Sequence, residues 1–421
     1  MSFSSLPEEL VDSICSNLIL DVLSLKIVCL VSRQVLNSAR KALYRQPFNY
    51  QRRPTWTQAN LLLDALQANK AHLGRFVRDT FNIVAWIQGI DKHNFRFGGR
   101  GRTNTSGYHW YLDILQVCPL LQEVDLTFGS EEDLRRLFAT LALGPARLPE
   151  PPDSVYGHLT LPRIRSITFE GSHLASAIPR TNSLSGFLET LEQVSIPSLG
   201  TVRLRVNFTF HGLASEIPQL PFDNLKHYQV STFSTKSSSS LPPFPSVPST
   251  VEHFHFHGST FTDGAHLLVL PNLIPSTLRN LTISFERDDY WTLHRSICTT
   301  LSAPRVPCAV FESFPHLVSF DLWNSHGPSL ALLRTLCHGS PNLTRIGFNG
   351  SQWFKNSNLT STVAKDIFPE AQIVDTCRKF SSLKTLHLGI LPTFDSAQYI
   401  GLKAVLQADG IDVEYESLLQ D

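Results

Sequence analysis

Apolar residues at Leu10, Ile14 and Leu18 fall on one face of a helix, behind the entry Leu6-Pro7-Glu8-Glu9. Pro7 suits the first helical turn, where its missing amide proton is not needed, and the two glutamates sit where a helix dipole favours negative charge. A break near Asp21 is followed by Leu25, Val28, Val31 and Leu36, then Ala39, Leu43 and Tyr44. The pattern predicts two or three short helices in a module over residues 1–45. A module of that size has little core of its own and leans on the rest of the chain or on a partner. Residues 46–107 read as a polar linker, a helix over Thr57–Ala71 and a stretch, His72–Trp86, that leads toward a sheet. Phe97–Gly107 is glycine- and arginine-rich but lacks the lysine and serine pairing of a phosphate loop, and reads as a surface insertion.

From residue 108 a different pattern takes over. Tyr108–Val117 reads as a helix. Then an apolar residue, two variable ones, an apolar residue, one variable and another apolar recur nine times. The copies begin at Leu121, Ile164, Leu191, Leu225, Val251, Leu278, Leu317, Leu343 and Leu383. The shorter intervals, as from Leu225 to Val251 to Leu278, match a leucine-rich-repeat period of about 20–29 residues; the longer ones read as repeats with insertions. Helical spacers are expected at Leu330–Leu336 and Ser361–Phe368, and a last strand at Ile411–Tyr415. Gly144–Asp153 and Thr235–Thr250, rich in proline and serine, read as excursions. The expected fold is α/β: a short helical module, then over residues 108–421 an irregular leucine-rich-repeat solenoid with a parallel inner sheet.

Composition narrows the class. Apolar residues make up 42% and charged residues 17% of 421 residues, which excludes wholesale disorder. Lys and Arg total 36, as do Asp and Glu. That balance gives no field for steering to nucleic acid or an anionic membrane. The seven cysteines are scattered and form no CxxC pair, against a disulfide framework or thiolate metal site. No secretory pattern or uninterrupted apolar stretch of membrane-spanning length is present, so the expected setting is the cytosol or nucleus.

In each predicted strand the two apolar positions point inward, and the residues between them point to an open face. That face is expected to carry Asp125, Ser166, Thr168, His227, Gln229, Thr282, Ser284, Asn349 and His387. With them stand the candidate substrate-binding residues His253, His255, His257, Asp321, Trp323 and Arg345. Trp323 is the expected anchor. Imidazole is a good zinc ligand, but side chains two apart on a strand diverge from a single ion. The expectation is a polar peptide-binding surface with no metal and no cofactor. Neither a Gly-x-Ser-x-Gly elbow nor a His-Glu-x-x-His helix is present, so nothing specific points to an enzyme.

The residues Leu6-Pro7-Glu8-Glu9-Leu10, then Ile14, Leu18, Leu25, Leu30-Val31-Ser32-Arg33, Ala39 and Tyr44 resemble an F-box. The array behind them resembles the leucine-rich domain of F-box proteins, especially divergent fungal ones. The resemblance implies an adaptor surface made by Leu6, Pro7, Leu10, Ile14, Leu18, Leu25, Leu30 and Val31, binding a Skp1-like adaptor and, through it, cullin and RING subunits. It implies that the repeats recruit a protein substrate for ubiquitin transfer and that the chain performs no bond chemistry itself. Ser32 replaces a common cysteine of the family, and Val35 stands where the family often has tryptophan. The alternative is a repeat-based interaction scaffold outside any ubiquitin ligase.

Overall fold

The computed structural model describes residues 7–18, 22–31, 33–45, 64–68, 76–78, 120–128, 130–143, 159–171, 182–206, 208–209, 217–232, 244–258, 270–285, 311–312, 314–325, 330–350, 370–390 and 396–416, with residues 61, 73, 115 and 118. Most of the expected elements at Thr57–Ala71, His72–Trp86 and Tyr108–Val117, and all of Phe97–Gly107, Gly144–Asp153 and Ser361–Phe368, lie outside the described residues. The fold is mixed α/β with a large parallel sheet. It forms two compact units, Met1–Thr201 and Val202–Asp421.

The first unit opens with three helices, α1 (Glu8–Asn17), α2 (Val22–Val31) and α3 (Arg33–Arg45). α3 packs on both others because Val35, Ala39 and Ala42 recur along one of its sides. They close a core with Val11, Cys15 and Leu25, flanked by Leu18, Val28 and Leu43. Pro7 stands one step before the first turn rather than in it. Its extended backbone sets the N-cap, and its carbonyl accepts from the amides of Leu10 and Val11. Further on, β1 (Glu123–Phe128), β2 (Leu159–Thr160), β3 (Ser166–Gly171), β4 (Asn182–Ser183) and β5 (Val194–Ser195) alternate with helices Glu131–Leu143 and Leu184–Glu192. β1 and β3 pair in parallel, Glu123 beside Ser166. Phe128, Phe138, Phe169 and Phe187 form the aromatic centre between strands and helices. Side chains cap both helices: Ser130 Oγ accepts from the Asp133 amide at 3.2 Å, and Ser183 Oγ from the Gly186 amide at 3.3 Å.

The second unit starts within β6 (Thr201–Arg205), followed by β7 (Phe208–Thr209). Then come β8 (His227–Thr232), β9 (His253–Gly258), β10 (Asn280–Phe285), β11 (Ser319–Trp323), β12 (Arg345–Gly347), β13 (Thr385–Ile390) and β14 (Asp412–Glu416). From β8 to β14 each strand pairs in parallel with the next one in sequence. Each apolar pair of the sequence pattern is buried, as in Phe254 and Phe256, Leu281 and Ile283, and Phe320 and Leu322. The leading apolar residue closes a tight turn: Val251, Leu278 and Leu343 donate their amides to Pro248, Pro275 and Ser340. One turn is stitched to the turn before it, Ser340 Oγ donating to the Phe314 carbonyl and Ser381 Oγ to that of Pro341. The backbone polar groups at the turns are thereby satisfied where chain meets chain. Helices Leu330–Gly339, Glu370–Cys377 and Ser396–Ala408 follow β11, β12 and β13.

One expectation is corrected here. Thr235–Thr250 is not an excursion throughout, because residues 244–250 pack inward. Phe244 and Val247 are buried, Phe244 lies against Phe254 and Phe256, and the Tyr228 hydroxyl donates to the Pro245 carbonyl at 3.1 Å. Proline suits this path because an extended segment beside a core needs few backbone donors.

Candidate functional site

Of the residues expected to face an adaptor, Leu6 and the side chain of Val31 lie outside the described residues. Pro7 and Leu10 are exposed, Leu10 by 52%, and Leu30 is 87% exposed. Ile14 and Leu18 are half-buried. Leu25 is fully buried in the three-helix core, so it holds the module together instead of presenting a surface. Sequence reading missed Ile27, which is 55% exposed and three residues before Leu30, hence on the same side of α2. Two bulky apolar side chains side by side in water are what a partner helix or groove would cover, each burial contributing about 1.5–3 kcal/mol. The Asp12 carboxylate accepts from Lys41, and this bond, with one from Ser38, holds its pKa below the usual value. Val35 is fully buried, filling the core with an aliphatic side chain.

In the second unit the in-register strands assemble the polar residues into rows. One row runs His227, His253, Asn280, Ser319 and Arg345. The next runs Gln229, His255, Thr282, Asp321, Gly347 and His387. A third holds Ser231, His257, Ser284 and Trp323. Alternation along each strand turns all three rows to one face, opposite the apolar core.

The three half-buried histidines of β9 do not converge on one point. The His253 ring stacks on His227 with centroids 4.3 Å apart, and its Nε2 lies 3.5 Å from Asn280 Nδ2. His255 Nε2 and His257 Nδ1 instead lie 2.7 and 2.8 Å from the hydroxyl of Ser284. Burial, then the charge of His257, pushes the His255 pKa down to about 4. That of His227 is lowered by burial and by His253. Among the described residues no group of three or more histidine, cysteine or acidic side chains is gathered to hold a metal ion.

Asp321 is set over Gly347. A Cβ there would lie 2.1 Å from Asp321 Oδ1, so a larger residue would push that carboxylate aside. The same oxygen accepts from Asn349 Nδ2 at 3.2 Å and from Arg345 Nη2 at 3.4 Å. Arg345 is exposed, while Trp323, beside Ser284, is 43% exposed. Asp125, Ser166, Thr168, Ser284 and Asn349, expected on an open face, are instead buried. Among the described residues the buried Thr168 hydroxyl has no hydrogen-bond partner.

No family model matches the chain, and no curated protein matches it. Among solved structures, a Bacteroides fragilis protein from a structural-genomics programme aligns at 11% identity with a TM-score of 0.31. The alignment covers 61% of this chain and 66% of that one. The chain thus spans just under two thirds of that protein's length. So low a score defines no shared fold. Among the described residues no helix is long and apolar enough to cross a membrane.

Proposed function

We propose that the chain is a substrate-recognition subunit of a Skp1–cullin–F-box ubiquitin ligase, working in the cytoplasm or nucleus. The observation that carries the reading is the exposed apolar surface of the N-terminal module: Leu10 on α1, Ile27 and Leu30 on α2. The core of that module is already closed by Val11, Cys15, Leu25, Val35, Ala39 and Ala42, so these outward side chains add nothing to its own folding. On this reading a Skp1-like adaptor covers them. The repeats behind form a leucine-rich-repeat solenoid whose polar strand face, with Trp323 as anchor, receives a protein substrate. The chain itself makes and breaks no bonds. Its contribution is proximity, holding a substrate lysine near a conjugating enzyme carried by the cullin and RING subunits.

Co-purification tests it. The full chain is expected to retain a Skp1 adaptor in mild salt, and the double substitution Leu10→Glu, Leu30→Glu is expected to release it. A folded chain that ignores the adaptor removes the ligase reading. The burial of Val35, at a position where the resembling family often has tryptophan, favours a second reading: a scaffold outside any ligase. In that case the double substitution leaves every partner bound.

A further inference from the structure

The hydroxyl of Ser284 has one hydrogen and meets two imidazole nitrogens, His255 Nε2 and His257 Nδ1. It donates to one and accepts from the other, so in the neutral state one of these nitrogens carries a hydrogen and the other does not. Adding one proton changes the bonding without moving a heavy atom. Both nitrogens then donate to Ser284 Oγ, and the hydroxyl hydrogen is released to seek a third partner. The site becomes an imidazolium beside a free O–H donor, which is a receptor for a carboxylate.

The surroundings fit an anion. On β8, His227 faces His253, with Arg203 near enough to influence its titration. β10 contributes no acid to the rows. Among the described residues the two nearby carboxylates are already bonded to cations, Glu252 to Lys226 at 2.7 Å and Asp321 to Arg345. Arg279 adds a further positive charge beside Glu252. The next exposed acids in the rows, Asp412 and Glu414, belong to β14, five strands from β9. Protonation therefore tips the patch positive. Beside it in register, Trp323 offers an apolar surface, which a free anion would not use and a peptide side chain would.

We propose that this face docks an acidic peptide segment, a carboxylate over the His255–Ser284–His257 bridge and an apolar side chain on Trp323, with uptake of one proton on binding. The inference deepens the reading of this face as the substrate side and rests on it. A bound carboxylate favours the charged imidazole, so affinity rises as pH falls, by at most about tenfold per pH unit for one proton.

The test uses the full chain and a fluorescein-labelled octapeptide of glutamate with one central leucine, in 0.15 M salt. Anisotropy is expected to give binding about tenfold tighter at pH 5.5 than at 7.5, and calorimetry in two buffers of different ionisation enthalpy an uptake of about one proton. The same peptide with glutamine for glutamate should bind weakly at both pH values. A His255→Gln, His257→Gln variant should lose the pH slope, and Trp323→Ala should weaken binding while keeping it. Equal affinity at both pH values, an unchanged slope in the double variant, or no binding by folded protein at pH 5.5 overturns the proposal. Adaptor capture by the same preparation separates this failure from failure of the ligase reading.

Discussion

Held near pH 4 in the folded chain, His255 makes stability sensitive to acid, and the size of the effect follows from its surroundings. Unfolding restores an ordinary imidazole that binds a proton near pH 6.5. Between these values the unfolded chain binds the extra proton and the folded chain does not, so stability falls as pH falls. The stabilisation is complete above about pH 6.5 and is lost progressively toward pH 4. A shift of that size corresponds to about 3 kcal/mol at 1.36 kcal/mol per pH unit. The side chain is only half-buried, so solvent screening brings the expected loss to about 1–2 kcal/mol. His227, lowered for the same reasons, adds in the same direction. Urea unfolding at pH 7.5, 6.5, 5.5 and 4.5, followed by tryptophan fluorescence, measures it. The variant His255→Gln keeps a polar group beside Ser284 and removes the titration. It should lose about 1 kcal/mol less than the wild type between pH 6.5 and 4.5. If the two curves run parallel, His255 is not held neutral by its burial.

Three further substitutions probe the frame. Gly347→Ala forces the Asp321 carboxylate away and breaks its bonds from Arg345 and Asn349. A loss of about 1–3 kcal/mol by thermal melting is expected, and an unchanged melt would mean that Asp321 does not rest over Gly347. Ser130→Ala removes the acceptor of the Asp133 amide and should cost about 1 kcal/mol in the first unit, readable by urea titration. Val35→Trp should destabilise the helical module by about 1–3 kcal/mol, seen as loss of helical circular dichroism on heating, because the site is closed around an aliphatic side chain.

The strand pattern was legible because its period is two: one look at Phe254-His255-Phe256 assigns both faces, and burial follows that alternation in β9. Alternation does not say whether the polar face is covered. Asp125, Ser166 and Thr168 stand on the polar side of their strands as alternation requires, yet they are buried. The Ser284 bridge was equally hidden, since it depends on the register that sets Ser284 beside His257 across two strands. In the helical module, α2 reads Val-Leu-Ser-Leu-Lys-Ile-Val-Cys-Leu-Val and is apolar almost all round. Periodicity therefore could not separate buried Leu25 from exposed Ile27 and Leu30; packing against α3 decides it. The proline-rich 244–250 stretch misled for the converse reason. Its composition resembles a loop, while Phe244 and Val247 supply enough apolar area to seal the core.

The central claim is that the N-terminal helices present an adaptor surface. Its most direct measurement is capture of a purified Skp1-type adaptor by the full chain, by the chain lacking residues 1–45, and by Leu10→Glu, Leu30→Glu. The account predicts a stoichiometric complex with the first and none with the other two, both of them folded by circular dichroism. Equal capture by all three, or none by the full chain, contradicts it.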